Sequence, residues 1–406
     1  MFRRHGEWRE FLPARWTTGA AKGGAVTDRL AAAAAIPMAR PNIGALEREL
    51  VAQVLASDTL AMGPFTERFE QTLAAMTGRR HGIAVSSGTA GLHLAIRAVG
   101  IGARDEVITT PFSFVASANC ILFEGARPVF VDIEEETLGM DPDLIDGAAT
   151  DQTRAIVAVD VFGAPCQIDR IAVHATREGW HLIEDSCEAL GSSLDGRPLG
   201  SFGDVSVFAF YPNKQITTGE GGMVVTDDDA IARAMRSMRN QGRDEDGTWL
   251  RHVQLGYNYR IDELSAAVGV AQLQRYAELR AGRDRVVAAY GQVLAEIDWL
   301  TIPLSPPRSD VDWFVYVVRV QEGVDRDAMI RHLAEFGVPA RPYFSPIHLQ
   351  PFYREQLGFA PGAFPVTERV AASTMALPFS SQHSDAEVER VADALRRAGA
   401  AQGLVG

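Results

Sequence analysis

Residues 205–225, VSVFAFYPNKQITTGEGGMVV, decide how the rest of this sequence is interpreted. Val205 to Phe210 is an apolar, β-rich run that predicts a strand buried on both faces, and Pro212 ends it. Lys214 follows at once, before a glycine-rich turn and a second short strand, Met223 to Val225. Rigid elements place reactive atoms better than loops do, so a Schiff-base lysine is expected at such a position. A solvated lysine in an ordinary turn is the alternative.

Composition and charge limit the classes of function. The chain has 406 residues, of which 47% are hydrophobic and 22% charged, as in ordinary globular proteins. A formal net charge of −13 argues against nucleic acid and anionic membranes as partners. No apolar run is long enough to span a membrane. Cys120, Cys166 and Cys187 have no metal-ligand spacing and an odd count, so we expect a cytoplasmic protein with no disulfide framework and no metal site.

The patterning predicts three segments. Residues 1–36 are expected to be a flexible N-terminal extension, since the arginines at their start precede no apolar core of signal-peptide length. A large domain is predicted over 37–285 and a smaller α+β domain over 286–406.

Strand-like and helix-like segments alternate through the large domain. The predicted strands are Ile83 to Val85, Val107 to Thr109, Pro128 to Val131, Ala155 to Val159, His181 to Glu184, Val205 to Phe210 and Met223 to Val225. The predicted helices include Ile43 to Ser57, Pro64 to Met76, Ala90 to Val99, Phe114 to Phe123, Ile168 to Glu178 and a long one, Asp262 to Val287. The smaller domain is predicted to hold strands Trp313 to Val320 and Val338 to Tyr343 and helices Arg326 to Phe336 and Asp385 to Ala398. The alternation predicts an α/β fold with a mostly parallel seven-stranded sheet covered by helices on both faces.

Ligands of such sheets bind beyond the carboxyl ends of the strands, where several motifs fall. Ser86-Ser87-Gly88-Thr89-Ala90 opens a helix directly after a strand, which favours anion binding, although an ordinary helix cap is the alternative. Glu184 and Asp185 end another strand on opposite faces, so only one of them can face a given ligand.

Two aromatic motifs complete the set. Phe114 could stack on a flat ring, although core packing is the commoner role of phenylalanine. Residues 256–260, GYNYR, interleave polar and aromatic groups before the long helix and suggest a contact surface. Together, an anion cradle, a carboxylate partner for a ring nitrogen, a stacking aromatic and an amine fit pyridoxal 5′-phosphate (PLP).

The motifs SSGTAGLHLAI, IEDSCEALGS, NKQITTGEGG, LGYNYRIDELSAAVG and PIHLQPFY resemble those of the DegT/StrS-type nucleotide-sugar aminotransferases, the perosamine-type enzymes above all. The resemblance runs from about Pro37 to the carboxyl terminus. It implies a fold-type I PLP enzyme whose large domain binds the cofactor, and a homodimer with active sites shared between subunits.

The resemblance also implies residue roles. Lys214 matches the lysine that binds the cofactor aldehyde and shuttles the proton, Asp185 the partner of the ring nitrogen, and Glu188 a residue near the cofactor hydroxyl. The remaining matches are Gly88, Thr89 and Ala90 for the phosphate, Phe114 for the ring face, Asn258 for the neighbouring subunit's phosphate and His348 for the substrate. Many members carry a phosphate-binding serine five residues before the lysine; Ala209 stands there, so one hydroxyl contact is expected to be missing.

The implied reaction moves an amino group from L-glutamate to a keto group of a nucleotide-linked sugar, with a 4-keto-6-deoxy sugar favoured. A PLP-dependent keto-sugar dehydratase is one alternative, but those relatives carry histidine where Lys214 stands. A catalytically silent binding or regulatory protein is a second. An NAD-binding domain is not supported, because no G-x-G-x-x-G follows the first strand.

Overall fold

The computed structural model describes residues 35–244 and 250–404. The predicted extension over 1–36 therefore lies outside the described residues except for its last two. Ile36 is buried in a hydrophobic core, and its N–H donates to the carbonyl of Gly337 at 3.0 Å. From Ala35 onward the chain forms one compact unit.

Helices and strands alternate along the described chain. The strands are β1 (His81–Val85), β2 (Glu106–Thr109), β3 (Arg127–Phe130), β4 (Thr153–Val159), β5 (His181–Asp185), β6 (Ser193–Leu194), β7 (Arg197–Pro198), β8 (Val205–Ala209), β9 (Gly222–Thr226), β10 (Leu300–Thr301), β11 (Ser309–Asp310), β12 (Tyr316–Val320), β13 (Arg341–Pro342) and β14 (Thr374–Leu377). The helices are α1 (Ala45–Leu55), α2 (Pro64–Thr77), α3 (Gly88–Ala98), α4 (Ala116–Phe123), α5 (Ile145–Ala148), α6 (Ile168–Glu178), α7 (Asp229–Arg239), α8 (Glu263–Gln274), α9 (Tyr276–Leu294), α10 (Arg326–Glu335), α11 (Pro351–Leu357), α12 (Pro365–Ser373) and α13 (Asp385–Ala401).

The predicted mostly parallel seven-stranded sheet is confirmed. Its strand order is β1-β9-β8-β5-β4-β2-β3. The pairs from β8 through β5, β4 and β2 to β3 are parallel, whereas β9 is antiparallel to both of its neighbours. The carboxyl ends of β4, β5 and β8 therefore lie at one edge of the sheet.

Helices cover both faces of this sheet, which explains why its strands read as continuous apolar runs. Ile83 and Val85 pack with Leu92 of α3 on one face. Between them along β1, Ala84 packs with Phe69 and Leu73 of α2 on the other face. The alternation of side chains along a strand thus feeds two separate hydrophobic layers.

A second, antiparallel sheet of order β10-β12-β14-β13 forms the core of the C-terminal part. Its strands pack with α9 and α13 through residues such as Tyr290, Leu294 and Leu395. A small three-stranded sheet of order β11-β6-β7 joins the two regions. Helix α9 runs through position 285, where the sequence predicts the domain boundary.

The prediction of one long helix over Asp262 to Val287 is wrong. Helices α8 and α9 meet at Arg275, whose φ of −95° and ψ of 6° interrupt the helical backbone. The Arg275 guanidinium binds Glu47 of α1 at 2.7 Å and the side-chain oxygen of Asn42 at 3.0 Å. Contacts with residues more than 200 positions away accompany the break, and no local proline or glycine marks it.

None of the helices within the described ranges is both long and apolar enough to cross a membrane.

Candidate active site

A cavity of about 440 Å³ opens at the carboxyl edge of the parallel strands. Val159, Asp185 and Ala209, the last residues of β4, β5 and β8, all reach its wall. A wider groove of about 760 Å³ adjoins it and shares Ser113, Phe114 and Phe344 with it. This is the edge at which ligands of open parallel sheets bind.

Lys214 lies on the wall of this cavity. Backbone hydrogen bonds from Phe210 to Gly221 and from Lys214 to Tyr211, both 2.9 Å, hold the turn that carries it. The lysine side chain is 12% exposed, and its Nζ lies 3.4 Å from Glu188 Oε1. The same nitrogen lies 3.9 Å from the centre of the Phe314 ring. The amine is thus held between a carboxylate and an aromatic face.

Asp185 faces the cavity, and its neighbour Glu184 faces away, as the strand alternation predicts. The Asp185 carboxylate accepts hydrogen bonds from the Ser117 hydroxyl at 2.7 Å and from the Cys187 N–H at 3.2 Å. The Glu184 carboxylate is fully buried and accepts from the backbone N–H groups of residues 200, 202 and 203 on the other side of the sheet. Glu184 therefore serves the fold, and Asp185 is the carboxylate available to a ligand.

Two serines that the sequence analysis did not single out support Asp185. The hydroxyls of Ser113 and Ser117 lie 2.7 Å apart. Since an ionised carboxylate only accepts, Ser117 donates to Asp185 and Ser113 donates to Ser117. The spacing of four residues, about one helical turn, is a signal that could have paired them.

Glu188 is fixed at both oxygens. Its Oε2 accepts from the Phe162 N–H at 2.9 Å, while its Oε1 faces Lys214. Phe162 has a φ of 59°, a left-handed conformation that is uncommon outside glycine. In this conformation the Phe162 N–H points at the Glu188 carboxylate. Burial raises the pKa of Glu188 above its usual value, and the Lys214 charge opposes that rise.

The start of α3 forms a cradle for an anion. Gly88 and Thr89 line the cavity, and the first N–H groups of a helix have no acceptor within it. A Cβ on Gly88 would lie 2.6 Å from the Ala209 Cβ and 3.0 Å from the Cys187 sulfur, so the backbone approaches closely only because this residue is glycine. Burial, followed by the Asp185 charge, raises the pKa of the Cys187 thiol, which keeps it neutral beside the cradle.

Of the three residues predicted to bind the phosphate, Gly88 and Thr89 lie on the cavity wall and Ala90 does not. The Ala90 N–H donates to the Ser87 hydroxyl at 3.1 Å, the N-cap of α3, so that N–H is already satisfied. Phe114 does lie on the wall, where it is 61% exposed and borders both the cavity and the adjoining groove.

Asn258 and His348 are not brought to the cavity wall within this chain. Asn258 is exposed, and its backbone pairs with Asn240 in an isolated bridge. His348 is fully buried; its Nε2 lies 3.0 Å from Glu368 Oε1, and its ring centre lies 4.8 Å from that of Phe364. The structure thus gives His348 interior partners instead of a position facing the cavity.

A further polar atom on the wall lacks a partner. The side-chain oxygen of Asn213, next to Lys214, is buried and accepts no hydrogen bond from the described residues. Buried polar atoms are nearly always paired, so this oxygen is available to a ligand. The wall therefore offers an anion cradle, a carboxylate, an amine and aromatic faces, a set that fits a flat ring carrying a phosphate and a carbonyl.

Comparison with known proteins gives one family. The model of the DegT/DnrJ/EryC1/StrS aminotransferase family matches residues 41–396. The spore coat polysaccharide biosynthesis protein SpsC of Bacillus subtilis is 36% identical over 374 residues, which are 89% of this chain and 96% of that protein. GDP-perosamine synthase of Caulobacter vibrioides is 37% identical over 364 residues, 89% of this chain and 97% of its own.

A solved structure agrees with this assignment. The PLP form of a putative sugar aminotransferase from Streptococcus pneumoniae superposes with a TM-score of 0.86 at 27% identity. The match covers 90% of this chain and 99% of that one.

Proposed function

Because the chain belongs to the DegT/DnrJ/EryC1/StrS aminotransferase family, we propose that it transfers the amino group of L-glutamate to a keto group of a nucleotide-linked 4-keto-6-deoxy sugar. It is a PLP-dependent sugar aminotransferase, and the proposal concerns its donor, its acceptor and its residues. The observation that carries the proposal is the Lys214 amine in a cavity that also contains Asp185 and the start of α3.

Under this proposal, residues on the wall would contact each part of PLP. Gly88 and Thr89 would hold the phosphate at the start of α3, and Asp185 would face the ring nitrogen. Phe114 would lie against the ring, and Glu188 would lie near the ring hydroxyl. When bound, PLP supplies an electron sink for the substrate carbon that loses or gains a proton.

The side chains of this chain would handle the protons. Asp185, held by Ser117, would keep a proton on the ring nitrogen. Lys214 would carry a proton to and from the reacting carbon at its Nζ. Glu188, 3.4 Å from that nitrogen, would stabilise its charged form. One amine donor and one keto acceptor would use the site in turn, in a ping-pong order.

The nature of the acceptor is supported by the relatives. GDP-perosamine synthase is named for an amino sugar made on a nucleotide, and the NKQITTGEGG motif resembles that class. The alternative of a keto-sugar dehydratase is less well supported, since Lys214 stands where those relatives carry histidine.

A homodimer is part of the proposal. Asn258 is exposed and absent from the cavity wall of its own chain, so we infer that it completes the phosphate site of a second copy. His348 is buried beside Glu368, so we assign it a supporting role for Ile347 and Gln350, which border the groove.

We place the enzyme in the cytoplasm. The three cysteines are free, as expected in a reducing compartment, and two of them are buried.

The test is an amino-transfer assay with purified, PLP-loaded protein. L-glutamate is supplied with GDP-, UDP- or dTDP-linked 4-keto-6-deoxyhexoses, and the aminated sugar is detected by mass spectrometry. We expect the wild-type enzyme to aminate the sugars linked to one of the three nucleotides. The Lys214→Ala variant should form no aminated sugar. Release of 2-oxoglutarate without a sugar is measured separately, so that a correct donor and a wrong acceptor can be told apart. If none of the sugars is aminated, the proposed acceptor class is wrong.

A further inference from the structure

Gln215, the residue after Lys214, joins three distant segments in the interior. Its side chain is 3% exposed, and its amide Nε2 donates to the backbone carbonyl of Glu188 and, at 2.9 Å, to that of Asp312. Its own backbone carbonyl accepts from Arg283 at 2.7 Å. One residue thus binds the loop after β5, the segment before β12 and helix α9.

The groups that hold Gln215 are themselves fixed. Arg283 binds the Asp312 carboxylate with two nitrogens, at 2.7 and 2.5 Å. Tyr276 donates to the same carboxylate at 2.6 Å, and the Asp312 N–H donates to Ser192 at 2.9 Å. A bidentate arginine–carboxylate pair restricts both partners to one geometry. The pair is buried on both sides, at 6% and 0% side-chain exposure, so water does not compete for these bonds.

The two groups that contact the Lys214 amine, Glu188 and Phe314, belong to segments that Gln215 binds. Glu188 presents its carboxylate to Nζ at 3.4 Å and its backbone carbonyl to the Gln215 amide. Asp312 presents its carbonyl to the same amide and lies two residues before Phe314, whose ring centre is 3.9 Å from Nζ. A single amide therefore spans the backbone of both groups that contact the lysine nitrogen.

We propose that Gln215 is a positioning residue that sets the distance between the Lys214 nitrogen and the Glu188 carboxylate. The inference rests on the proposed role of Lys214 as the lysine that binds the cofactor. Gln215 itself does not line the cavity and touches neither cofactor nor substrate. Its effect passes through the backbones of Glu188 and Asp312.

This distance controls how firmly the lysine nitrogen keeps its proton. A carboxylate near an amine stabilises the protonated form, and the effect falls as the two groups separate. The other titratable side chains on the wall are Asp185, Cys187, Tyr211, Glu220 and Tyr343. Behind the lysine turn lie Arg40 and Arg283, which are paired with Glu387 and Asp312. None of these titratable side chains contacts the Gln215 amide, which binds the backbone carbonyls of Glu188 and Asp312. A change at that amide therefore acts on the two segments that carry Glu188 and Phe314.

The substitution Gln215→Leu tests the proposal. It keeps the volume and the backbone carbonyl but removes both bonds of the amide. The visible absorbance of the PLP-loaded enzyme is followed as the pH is varied. We expect its midpoint to move down by about one pH unit, because the Glu188 backbone is no longer tied to the lysine turn and its carboxylate can move away from the nitrogen. We also expect kcat to fall about tenfold with little change in KM for glutamate.

Gln272→Leu is the matched control. Gln272 is 2% exposed, and its amide donates to the carbonyl of Asn42 at 2.9 Å and to Glu47 at 2.6 Å. Its side-chain oxygen reaches the Thr217 N–H, but it contacts neither Lys214 nor Glu188. Both variants should lower the thermal midpoint of the cofactor-free protein, and Gln272→Leu should leave the pH midpoint unchanged.

The outcomes separate positioning from general destabilisation. An unchanged pH midpoint in Gln215→Leu, or an equal shift in Gln272→Leu, overturns the proposal. If Gln215→Leu does not fold, Gln215→Asn, whose amide is one methylene shorter, is measured instead and must shift the midpoint in the same direction. A wild-type protein that shows no visible band with PLP contradicts the proposed function itself, whereas an unshifted pH midpoint in Gln215→Leu contradicts only the role of Gln215.

Discussion

The Asp185 carboxylate is held by the Ser117 hydroxyl and by the Cys187 N–H. Ser117→Ala removes a charge-assisted hydrogen bond of 2.7 Å and leaves the Cys187 N–H as the other described donor to the carboxylate. Such a bond contributes about 1.5–3 kcal/mol, so we expect kcat to fall roughly ten- to a hundredfold. Steady-state kinetics measure this loss. Ser113→Ala, one bond further from the carboxylate, should have a smaller effect; a larger effect there would contradict the proposed order of donors.

At Ala209, where the family resemblance implies that one phosphate contact is absent, a hydroxyl can be introduced. Its Cβ lies where a side chain on Gly88 would clash, next to the anion cradle. We expect Ala209→Ser to add a hydroxyl to the phosphate site and to tighten PLP binding about fivefold, since one net hydrogen bond contributes about 1 kcal/mol. Fluorescence titration of the cofactor-free protein measures the affinity. Ala209→Val, which is larger than serine and lacks the hydroxyl, is the control for added bulk and should weaken binding.

At the level of single residues, the sequence indicates groups that follow a strand or open a helix. Lys214, Asp185 and Gly88 could be identified because each stands at a recognisable boundary. Phe314 could not, since it is 100 residues from Lys214 and reaches the amine from the segment before β12, where its N–H donates to the Phe162 carbonyl at 3.3 Å. The environment of His348 could not be predicted either: its motif is local, whereas its contacts are with Glu368 and Phe364, which lie elsewhere in the sequence.

Helix α2 is anchored by a residue from another helix. Both oxygens of the fully buried Glu263 accept from the first turn of α2, namely from the N–H groups of Gly63, Phe65 and Thr66 at 2.9 to 3.0 Å and from the Thr66 hydroxyl. Glu263→Gln places an NH2 group against these donors. We expect the free energy of unfolding to fall by about 2–3 kcal/mol, measured by urea denaturation.

The control for this substitution is Glu278→Gln on α9. The Glu278 side chain is 64% exposed and pairs with Arg275 within one helical turn. Exposed pairs of this kind contribute little, so its loss should leave the free energy of unfolding nearly unchanged. Equal losses in the two variants would show that the contacts with α2 are not what Glu263 contributes.

At the level of elements, the predicted strands of the main sheet are all present, because buried parallel strands leave a strong apolar signal. The shorter elements were harder to predict. The strand predicted over Val338 to Tyr343 is reduced to Arg341–Pro342, and the break at Arg275 depends on contacts with Glu47. Such features are set by partners that are distant in sequence, which periodicity does not record.

For the whole molecule, a shared site predicts complementation between two inactive subunits. Lys214→Ala removes the amine of its own cavity, and Asn258→Ala removes the exposed residue that we assign to the partner's cavity. In a mixed dimer of these variants, one site contains both native residues. Random mixing should therefore restore about a quarter of wild-type activity, well above the sum of the two variants measured separately. Activity that only equals that sum would contradict a site shared through Asn258.

Two buried histidines should lower the stability of the whole fold in mild acid, whereas Asp160 and Glu188, whose pKa values burial raises, act in the opposite sense. Burial lowers the pKa of His348, against the opposing effect of Glu368, and burial likewise lowers the pKa of His383. The unfolded chain, with histidine pKa values near 6.5, then takes up protons first as the pH falls, so stability drops below about pH 6.5. His181 acts in the opposite sense, because its hydrogen bond to Asp204 raises its pKa and stabilises the fold at lower pH.

Substitutions at these histidines separate the two contributions. His348→Gln keeps a donor for Glu368 but cannot titrate, so its thermal midpoint should fall less than that of the wild type between pH 7 and about pH 5.5, by roughly 1–3 °C. The thermal midpoint of His181→Gln should fall more than that of the wild type over the same pH range, since this variant loses the compensating group. Carboxylates with lowered pKa values contribute little between pH 7 and about pH 5.5, because they take up protons only at about pH 4 in the unfolded chain and lower still in the folded one. Parallel curves for wild type and His348→Gln would mean that the His348 ring titrates alike in the folded and unfolded chains, and its burial would then not control the acid response.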